Sequence, residues 1–375
     1  MRIAIYAGCF RENQDGATKT LYQLVRSLLA EEIETGVWAY AITPQKNKAL
    51  KSHLIFSLPL PLYPDYRIAI PQRKLQRQLN AFRPDLIHVT VPDLAGLAFL
   101  NYAKKNNIPI VASFHTDFAS YLKYYGLSFL FRTTWKYMAH FYNRCRWVYA
   151  PTEMIADKML RWGVKRIRLW PRGIDRSSFH PRFRSEARRK QWGANDKKVI
   201  LYAGRFVPYK DLDIFMRVYK LFKEKNPDKA VIVLAGDGPM RNELEDEMPE
   251  AIFTGYLSGQ DLASVYASAD ILLFPSTTET LGNVVQEGLS SGLPAVVSDV
   301  GGCREVVEKA DGGLVAKAGH AEAFYEHCLR LIEDDAFYRL KRENGLKYSE
   351  TRSWDEINGR FIADYFSLCD QKARR

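Results

Sequence analysis

Short apolar runs alternate along the whole chain with longer stretches of helical period. In the first half the runs fall at residues 2–7, 37–42, 86–89, 108–113 and 147–150. Their length and their β-branched and aromatic content predict buried strands. Between them lie amphipathic segments such as 17–30, where Leu21, Leu24, Val25, Leu28 and Leu29 fall at i, i+3 and i+4 spacing, the pattern of a helix packed on one face. A second series begins at Lys198, with predicted strands at 199–203, 230–235, 251–254, 271–274 and 295–298 and a helix at about 211–225. Strands that alternate with helices predict an α/β fold with parallel sheets.

Residues 171–192, rich in Pro, Arg and Ser, show no period and read as the connection between the two series. With 375 residues the chain exceeds the size at which a single core stops growing. The expected organisation is two doubly wound Rossmann-like domains facing across a cleft, 1–180 and 181–375, with the last helix able to pack back on the first. Ligands of such domains bind at the carboxyl ends of the strands.

Composition excludes several classes. Hydrophobic residues at 47% and charged residues at 26% are ordinary for a globular protein. No stretch is long and apolar enough to span a membrane, and the first residues read as a strand rather than a signal peptide. Five scattered cysteines (Cys9, Cys145, Cys303, Cys328, Cys369) form no C-x-x-C pair, which fits reduced thiols and a cytoplasmic location. Charge is divided unevenly: residues 1–180 hold 26 Lys/Arg against 12 Asp/Glu, a net of +14, while the remainder nets −3. A basic half suits nucleic acid, an anionic membrane surface or a phosphorylated substrate.

The most informative segment is 274–288. A strand ends in a polar loop, and a helix starts near Gly282. Its first backbone N–H groups form an anion site suited to a diphosphate. Glu287 follows on the helix and Glu279 precedes it in the loop, so two carboxylates able to accept hydrogen bonds from a diol flank that site. Each of them also reads as a solvated acid when taken alone. Arg205, after Gly204 at a strand end, and Lys210, just before a helix, suit a diphosphate leaving group. Gly236-Asp237-Gly238-Pro239 lets a ligand approach the backbone at another strand end. Asp211-Leu212-Asp213 has the form of a metal-binding Asp-x-Asp, but it opens a helix, where acids cap and complement the dipole. It reads as a cap, and no metal or other cofactor is expected.

In order and spacing, Gly204-Arg205…Lys210, Gly236-Asp237-Gly238-Pro239, Glu279…Glu287 and Ser291-Gly292-Leu293-Pro294 resemble the retaining family-4 glycosyltransferases with the two-domain GT-B fold. Ser113-Phe114-His115-Thr116-Asp117-Phe118, Tyr124-Tyr125-Gly126 and Trp170-Pro171-Arg172-Gly173-Ile174-Asp175…Phe179-His180-Pro181 resemble a narrower group, the bacterial α-mannosyltransferases and sulfoquinovosyl-type lipid glycosyltransferases. The resemblance implies that Arg205 and Lys210 hold the donor diphosphate, Glu287 the ribose and Glu279 the sugar hydroxyls. Leu281, Gly282 and Asn283 would offer backbone donors, and His115 would reach across the cleft to the donor sugar. The family's Gly-Gly pair after the first strand is replaced by Asn13-Gln14-Asp15-Gly16-Ala17, leaving Gly16 alone at the helix start.

Residues 119–147 interleave aromatics (Tyr121, Tyr124, Phe129, Phe131, Trp135, Tyr137, Trp147) with Lys123, Arg132, Lys136, Arg144 and Arg146. An interfacial helix on anionic lipid, a core helix with cations at its rim and an aromatic nucleic-acid platform all read this way. The expectation is a hexosyltransferase whose partners are a nucleotide-diphosphate sugar, with GDP-mannose first and a UDP-hexose second, and a lipid or lipid-linked acceptor at an anionic membrane. No nucleic-acid partner is expected. A nucleotide-sugar epimerase and a non-catalytic nucleic-acid-binding protein are the alternatives. A dinucleotide oxidoreductase is disfavoured, since no Gly-x-Gly-x-x-Gly follows the first strand.

Overall fold

The computed structural model describes residues 1–8, 16–30, 37–41, 51–60, 63–194 and 196–373. The chain divides into two compact units, Met1–Arg172 with Trp354–Arg375, and Gly173–Ser353. The division falls a few residues before the boundary expected at 180–181, and the last helix, Trp354–Ala373, belongs to the first unit.

The first unit carries the strands β1 (Ile3–Gly8), β2 (Val37–Ala41), β3 (Lys51–Leu54), β4 (Ser57–Leu60), β5 (Tyr63–Ala69), β6 (Leu86–Val89), β7 (Ile110–Ser113), β8 (Trp147–Ala150) and β9 (Ile167–Leu169). Seven of them form one sheet in the order β3-β2-β1-β6-β7-β8-β9, parallel at every pairing. The hairpin β4–β5 stands apart as an antiparallel pair. Alternation along β1 serves both faces of this sheet. Ala4 and Tyr6 join Ile87, Val89, Phe99 and Trp135 in one core. Ile3, Ile5 and Ala7 join Leu24, Leu28, Tyr149, Trp170 and the Phe361, Tyr365 and Leu368 face of the last helix in the other.

The second unit adds β10 (Lys198–Ala203), β11 (Ala230–Ala235), β12 (Ile252–Gly255), β13 (Ile271–Phe274), β14 (Ala295–Ser298) and β15 (Gly313–Ala316). Their order is β12-β11-β10-β13-β14-β15, again parallel throughout. The strand order reverses at β10, between β11 and β13, and this switch point opens a crevice at the carboxyl ends of those strands.

The connection expected at 171–192 has more structure than its composition suggests. Ser185 caps the helix Glu186–Gln191, its side chain accepting from the Arg188 N–H. The buried Arg189 guanidinium donates to the Ser268, Ala194 and Lys197 carbonyls and to Asp270. Asp270 also accepts the Val199 N–H at the start of β10. A buried ion pair gains only when its remaining polar groups are matched, and here each has a partner. The apparent linker is a clamp at the amino ends of β10 and β13.

Candidate active site

Two strands of the second unit end in glycines that leave backbone open at the crevice. Beyond β10 and β11 come Gly204 at φ +149° and Gly236 at φ +151°. A Cβ on Gly236 would sit 1.8 Å from the Gly204 carbonyl oxygen, so only glycine lets these two turns close on each other. Asp237 turns back on its own loop and accepts the Gly238 N–H at 2.7 Å. Arg205 is exposed at the end of β10. A single 3-10 turn, Pro208–Lys210, then leads into the helix Leu212–Lys225.

The loop after β13 is fastened to that turn at several points. Thr278 Oγ1 donates to the Tyr209 carbonyl at 2.8 Å. Thr277 donates to Asp211 Oδ2 from both its N–H and its hydroxyl, each at 2.7 Å. Lys210 Nζ and Glu279 Oε1 form an ion pair, both side chains largely buried. Gly302 N–H donates to the Glu279 carbonyl. The structure thus joins Lys210 and Glu279, which lie 69 residues apart in sequence. It also revises two sequence expectations. Asp211 makes no side-chain cap; its carboxylate holds the neighbouring loop instead. Lys210, expected to neutralise a diphosphate, already faces Glu279, so a bound anion would share it.

Gly282, at φ +87°, precedes the helix Asn283–Ser290. A Cβ there would meet Cys303 Sγ at 2.3 Å, so the start of this helix packs against a buried thiol. Burial and the nearby Glu279 carboxylate raise that thiol's pKa well above the usual range. Leu281 is buried and Asn283 partly so. Glu287 lies on the same helix and, against the reading of a solvated acid, is 9% exposed. The buried Tyr266 hydroxyl donates to its Oε2 at 3.1 Å. Burial, first, and Glu287 hold the Tyr266 phenol well above its ordinary pKa, so it stays protonated and fixes one carboxylate oxygen.

The remaining expected site residues belong to the first unit. Gly16 opens the helix Gly16–Ala30 and is exposed; Asn13, Gln14 and Asp15 lie outside the described residues. His115 follows β7, and both its ring nitrogens have partners within the unit. Nε2 lies 2.7 Å from Ser113 Oγ, and Nδ1 lies 3.3 Å from the Arg172 guanidinium. Burial, then Arg172 and His88, drive the His115 pKa well below its ordinary value, so the ring is neutral.

Sequence reasoning missed Asp211 as a loop clamp, Tyr266 as the partner of Glu287, and the polar residues behind His115. His88 alone left a trace, as a polar residue within the apolar run 86–89. Among the described residues no group of three or more His, Cys, Asp or Glu is placed to hold a metal ion.

Two doubly wound parallel sheets, with a Lys–Glu pair and a carboxylate-bearing helix at the switch point of the second, define an α/β transferase of the GT-B type. The comparisons agree. Residues 197–334 match the model "Glycosyl transferases group 1", and residues 14–178 match "Glycosyltransferase Family 4". A GDP-mannose-dependent alpha-mannosyltransferase of Corynebacterium glutamicum is 30% identical over 97% of this chain and 88% of that protein. The sulfoquinovosyl transferase SQD2 of Arabidopsis thaliana is 33% identical over 78% of this chain and 59% of that protein. Among solved structures, sucrose-phosphate synthase from Thermosynechococcus elongatus superposes with a TM-score of 0.79 at 20% identity, covering 98% of each chain, and shows the shared fold. The chain belongs to the family-4 glycosyltransferases and is a nucleotide-sugar-dependent hexosyltransferase.

Proposed function

We propose that the protein transfers a hexosyl group, mannosyl from GDP-mannose before a UDP-hexose, to a hydroxyl of a lipid or lipid-linked acceptor. The anomeric configuration is retained and no metal takes part. The observation that carries the donor assignment is the fastened pair of loops at the switch point. Lys210, Arg205 and the start of the helix Asn283–Ser290 lie on the segments where a diphosphate would bind and be stabilised as it leaves. Glu287, its Oε2 fixed by Tyr266, is suited to a ribose diol, and Glu279 beside Lys210 to the hydroxyls of the sugar. Gly204, Gly236, Asp237 and Gly238 bring backbone to the nucleotide, and Leu281, Gly282 and Asn283 add backbone donors. His115 of the first unit contacts the sugar being transferred. The GDP-mannose choice follows the bacterial relative named above.

The acceptor assignment is supported by the surface of the first unit. In the helix Phe131–Tyr142 the face formed by Trp135, Met138, Ala139, Phe141 and Tyr142 is buried, which accounts for three of that helix's five aromatics. Beside it Phe129 is 75% exposed, Leu130 and Tyr137 are also exposed, and Lys123, Arg132 and Lys136 face solvent. Apolar side chains among cations suit the headgroup level of an anionic bilayer. Among the described residues no helix is long and apolar enough to cross a membrane.

The decisive experiment is a thermal-shift panel of GDP-mannose, UDP-hexoses and the free nucleotides, followed by transfer to lipid extract from the best donor, with and without EDTA. A true donor at about 100 times its Kd stabilises the fold by about 2.7 kcal/mol. The proposal fails if no nucleotide sugar raises the melting temperature, or if donor alone is converted to an isomerised nucleotide sugar.

A further inference from the structure

Behind His115 runs a continuous chain of hydrogen bonds confined to the first unit. Arg172 lies 3.3 Å from His115 Nδ1, and His115 Nε2 lies 2.7 Å from Ser113 Oγ. Ser113 Oγ lies 2.8 Å from His88 Nε2, and His88 Nδ1 lies 2.7 Å from the hydroxyl of Tyr365 on the last helix. Arg172, Ser113, His88 and Tyr365 are all buried, whereas His115 is only partly so. The chain therefore has one accessible member.

Its proton order follows from one constraint. A guanidinium only donates, so His115 Nδ1 accepts and the ring proton sits on Nε2. That proton goes to Ser113 Oγ, whose own hydrogen finds its acceptor within this chain at His88 Nε2. His88 therefore carries its proton on Nδ1 and donates it to the Tyr365 oxygen. Every link points the same way, from Arg172 to the last helix. Both imidazoles are neutral in this order, in line with burial and Arg172 pushing the His88 pKa down to about 3.

We propose that Ser113, His88 and Tyr365 are positioning residues, which hold His115 as its Nε2–H tautomer with Nδ1 turned to Arg172, so that the last helix sets the state of the one accessible ring. Arg172 sets the direction, and the Tyr365 oxygen sustains it by accepting the His88 Nδ1 proton. Without the Tyr365 oxygen, His88 has no acceptor for its Nδ1 proton and can move it to Nε2. Ser113 would then accept from His88 and donate to His115, placing the His115 proton on Nδ1 against the Arg172 donor. The ring would have to swing away.

The last helix is seated firmly enough for this role. The Trp170 ring stacks on Phe361 at 4.1 Å, and Trp170 Nε1 donates to Asn358, which in turn donates to Ser27. The Arg172 guanidinium sits 4.4 Å over the Trp170 ring and donates to the Trp170 carbonyl at 2.6 Å.

The kinetic consequence rests on the proposed contact of His115 with the transferred sugar; the proton order does not. The test is a long-range ¹H–¹⁵N spectrum of the full chain labelled at histidine, assigned with His88→Gln and His115→Gln. The wild-type spectrum should show His115 protonated at Nε2 and His88 at Nδ1, and a reversed tautomer at either ring overturns the proposal without any further variant. In Tyr365→Phe the His115 Nδ1 signal should move toward the protonated position. Its kcat should fall about tenfold, the scale of a small displacement of a sugar-contacting group, with donor KM within about twofold. Leu368→Ala, a buried change on the same helix, should lower the melting temperature and leave the His115 signals in place. An unchanged His115 pattern in Tyr365→Phe, or the same shift in Leu368→Ala, overturns the proposal. A shifted pattern with unchanged kcat upholds the proton order and refutes the sugar contact of His115.

Discussion

Asp211→Asn separates the loop clamp from the metal motif that the same residues resemble. Asp211 Oδ2 accepts two bonds from Thr277, both at 2.7 Å, from a left-handed backbone at φ +52°. Asparagine keeps an oxygen acceptor and tolerates that backbone, so the substitution removes charge and little else. A hydrogen bond to a charged acceptor is worth about 1.5–3 kcal/mol net, against about 0.5–1.5 for a neutral one. Losing the difference at two bonds costs about 2 kcal/mol, an upper figure because Asp211 is only partly buried. For a unit of this size that lowers the melting temperature by about 4–8 °C. If the loop bearing Glu279 must be in place for transfer, kcat/KM falls by up to about thirtyfold, at about 1.36 kcal/mol per tenfold. The exposed Asp213 makes no such clamp, and Asp213→Asn should stay within about 0.5 kcal/mol of wild type. The assay is initial rate and melting temperature for both variants, in EDTA and in excess Mg²⁺ or Mn²⁺. Wild-type rate and melting temperature in Asp211→Asn would refute the clamp. Equal loss in both variants with rescue by the cation would refute the whole reading in favour of a metal site.

Two further outcomes follow from the first unit. The protein should sediment with acidic vesicles at low salt and be released near 1 M salt, where the screening length is about 3 Å. Phe129→Ser should weaken binding by about tenfold, the scale of one buried aromatic side chain, and equal sedimentation at low and high salt would remove the membrane reading. His88 ties stability to pH. Its folded pKa is lowered to about 3 by burial, then by Arg172, while an unfolded histidine titrates near 6.5. The group therefore contributes its full stability above about pH 6.5, and loses it as pH falls from there toward 3, up to a ceiling of about 4–5 kcal/mol. Urea midpoints at pH 7.5 and 4.5 should drop more in wild type than in His88→Gln, and parallel drops would show that His88 is not buried neutral.

With one exception, the edge strand β12 that the pattern does find, the strands that sequence pattern finds and those it misses differ in position rather than in size. β1, β6, β7, β10, β13 and β14 lie inside their sheets, buried on both faces, and read as largely apolar runs. β3, β9 and β15 are edges. Such strands pair on one side only and are commonly interrupted by charge, as β9 is by Arg168; β15 opens on Gly313, where a Cβ would meet the Ala295 carbonyl. Their apolar signal is therefore short and interrupted. The β4–β5 hairpin carries Pro59 and Pro64, which weaken the strand pattern in the same way.

The site divides along a similar line. Gly204, Gly236, Lys210, Glu279 and Glu287 could be nominated from sequence because a strand end followed by a helix start is a local event, and residue type there narrows the chemistry. Several of their partners were not, because those contacts close a long loop: Asp211 meets Thr277 across 66 residues, and His88 meets Tyr365 across 277. No periodicity spans such separations. A local pattern can nominate the groups that would meet a ligand, but the groups that set their charge, tautomer and orientation are chosen by topology. Glu287 shows the consequence. Its sequence position fits a solvated helix acid as well as the proposed ribose contact; burial to 9% exposure with a protonated tyrosine holding one oxygen removes the first reading and is what the proposed contact requires. A solvated acid has no need of a buried donor, whereas a carboxylate that must present its other oxygen to a diol in a fixed direction does.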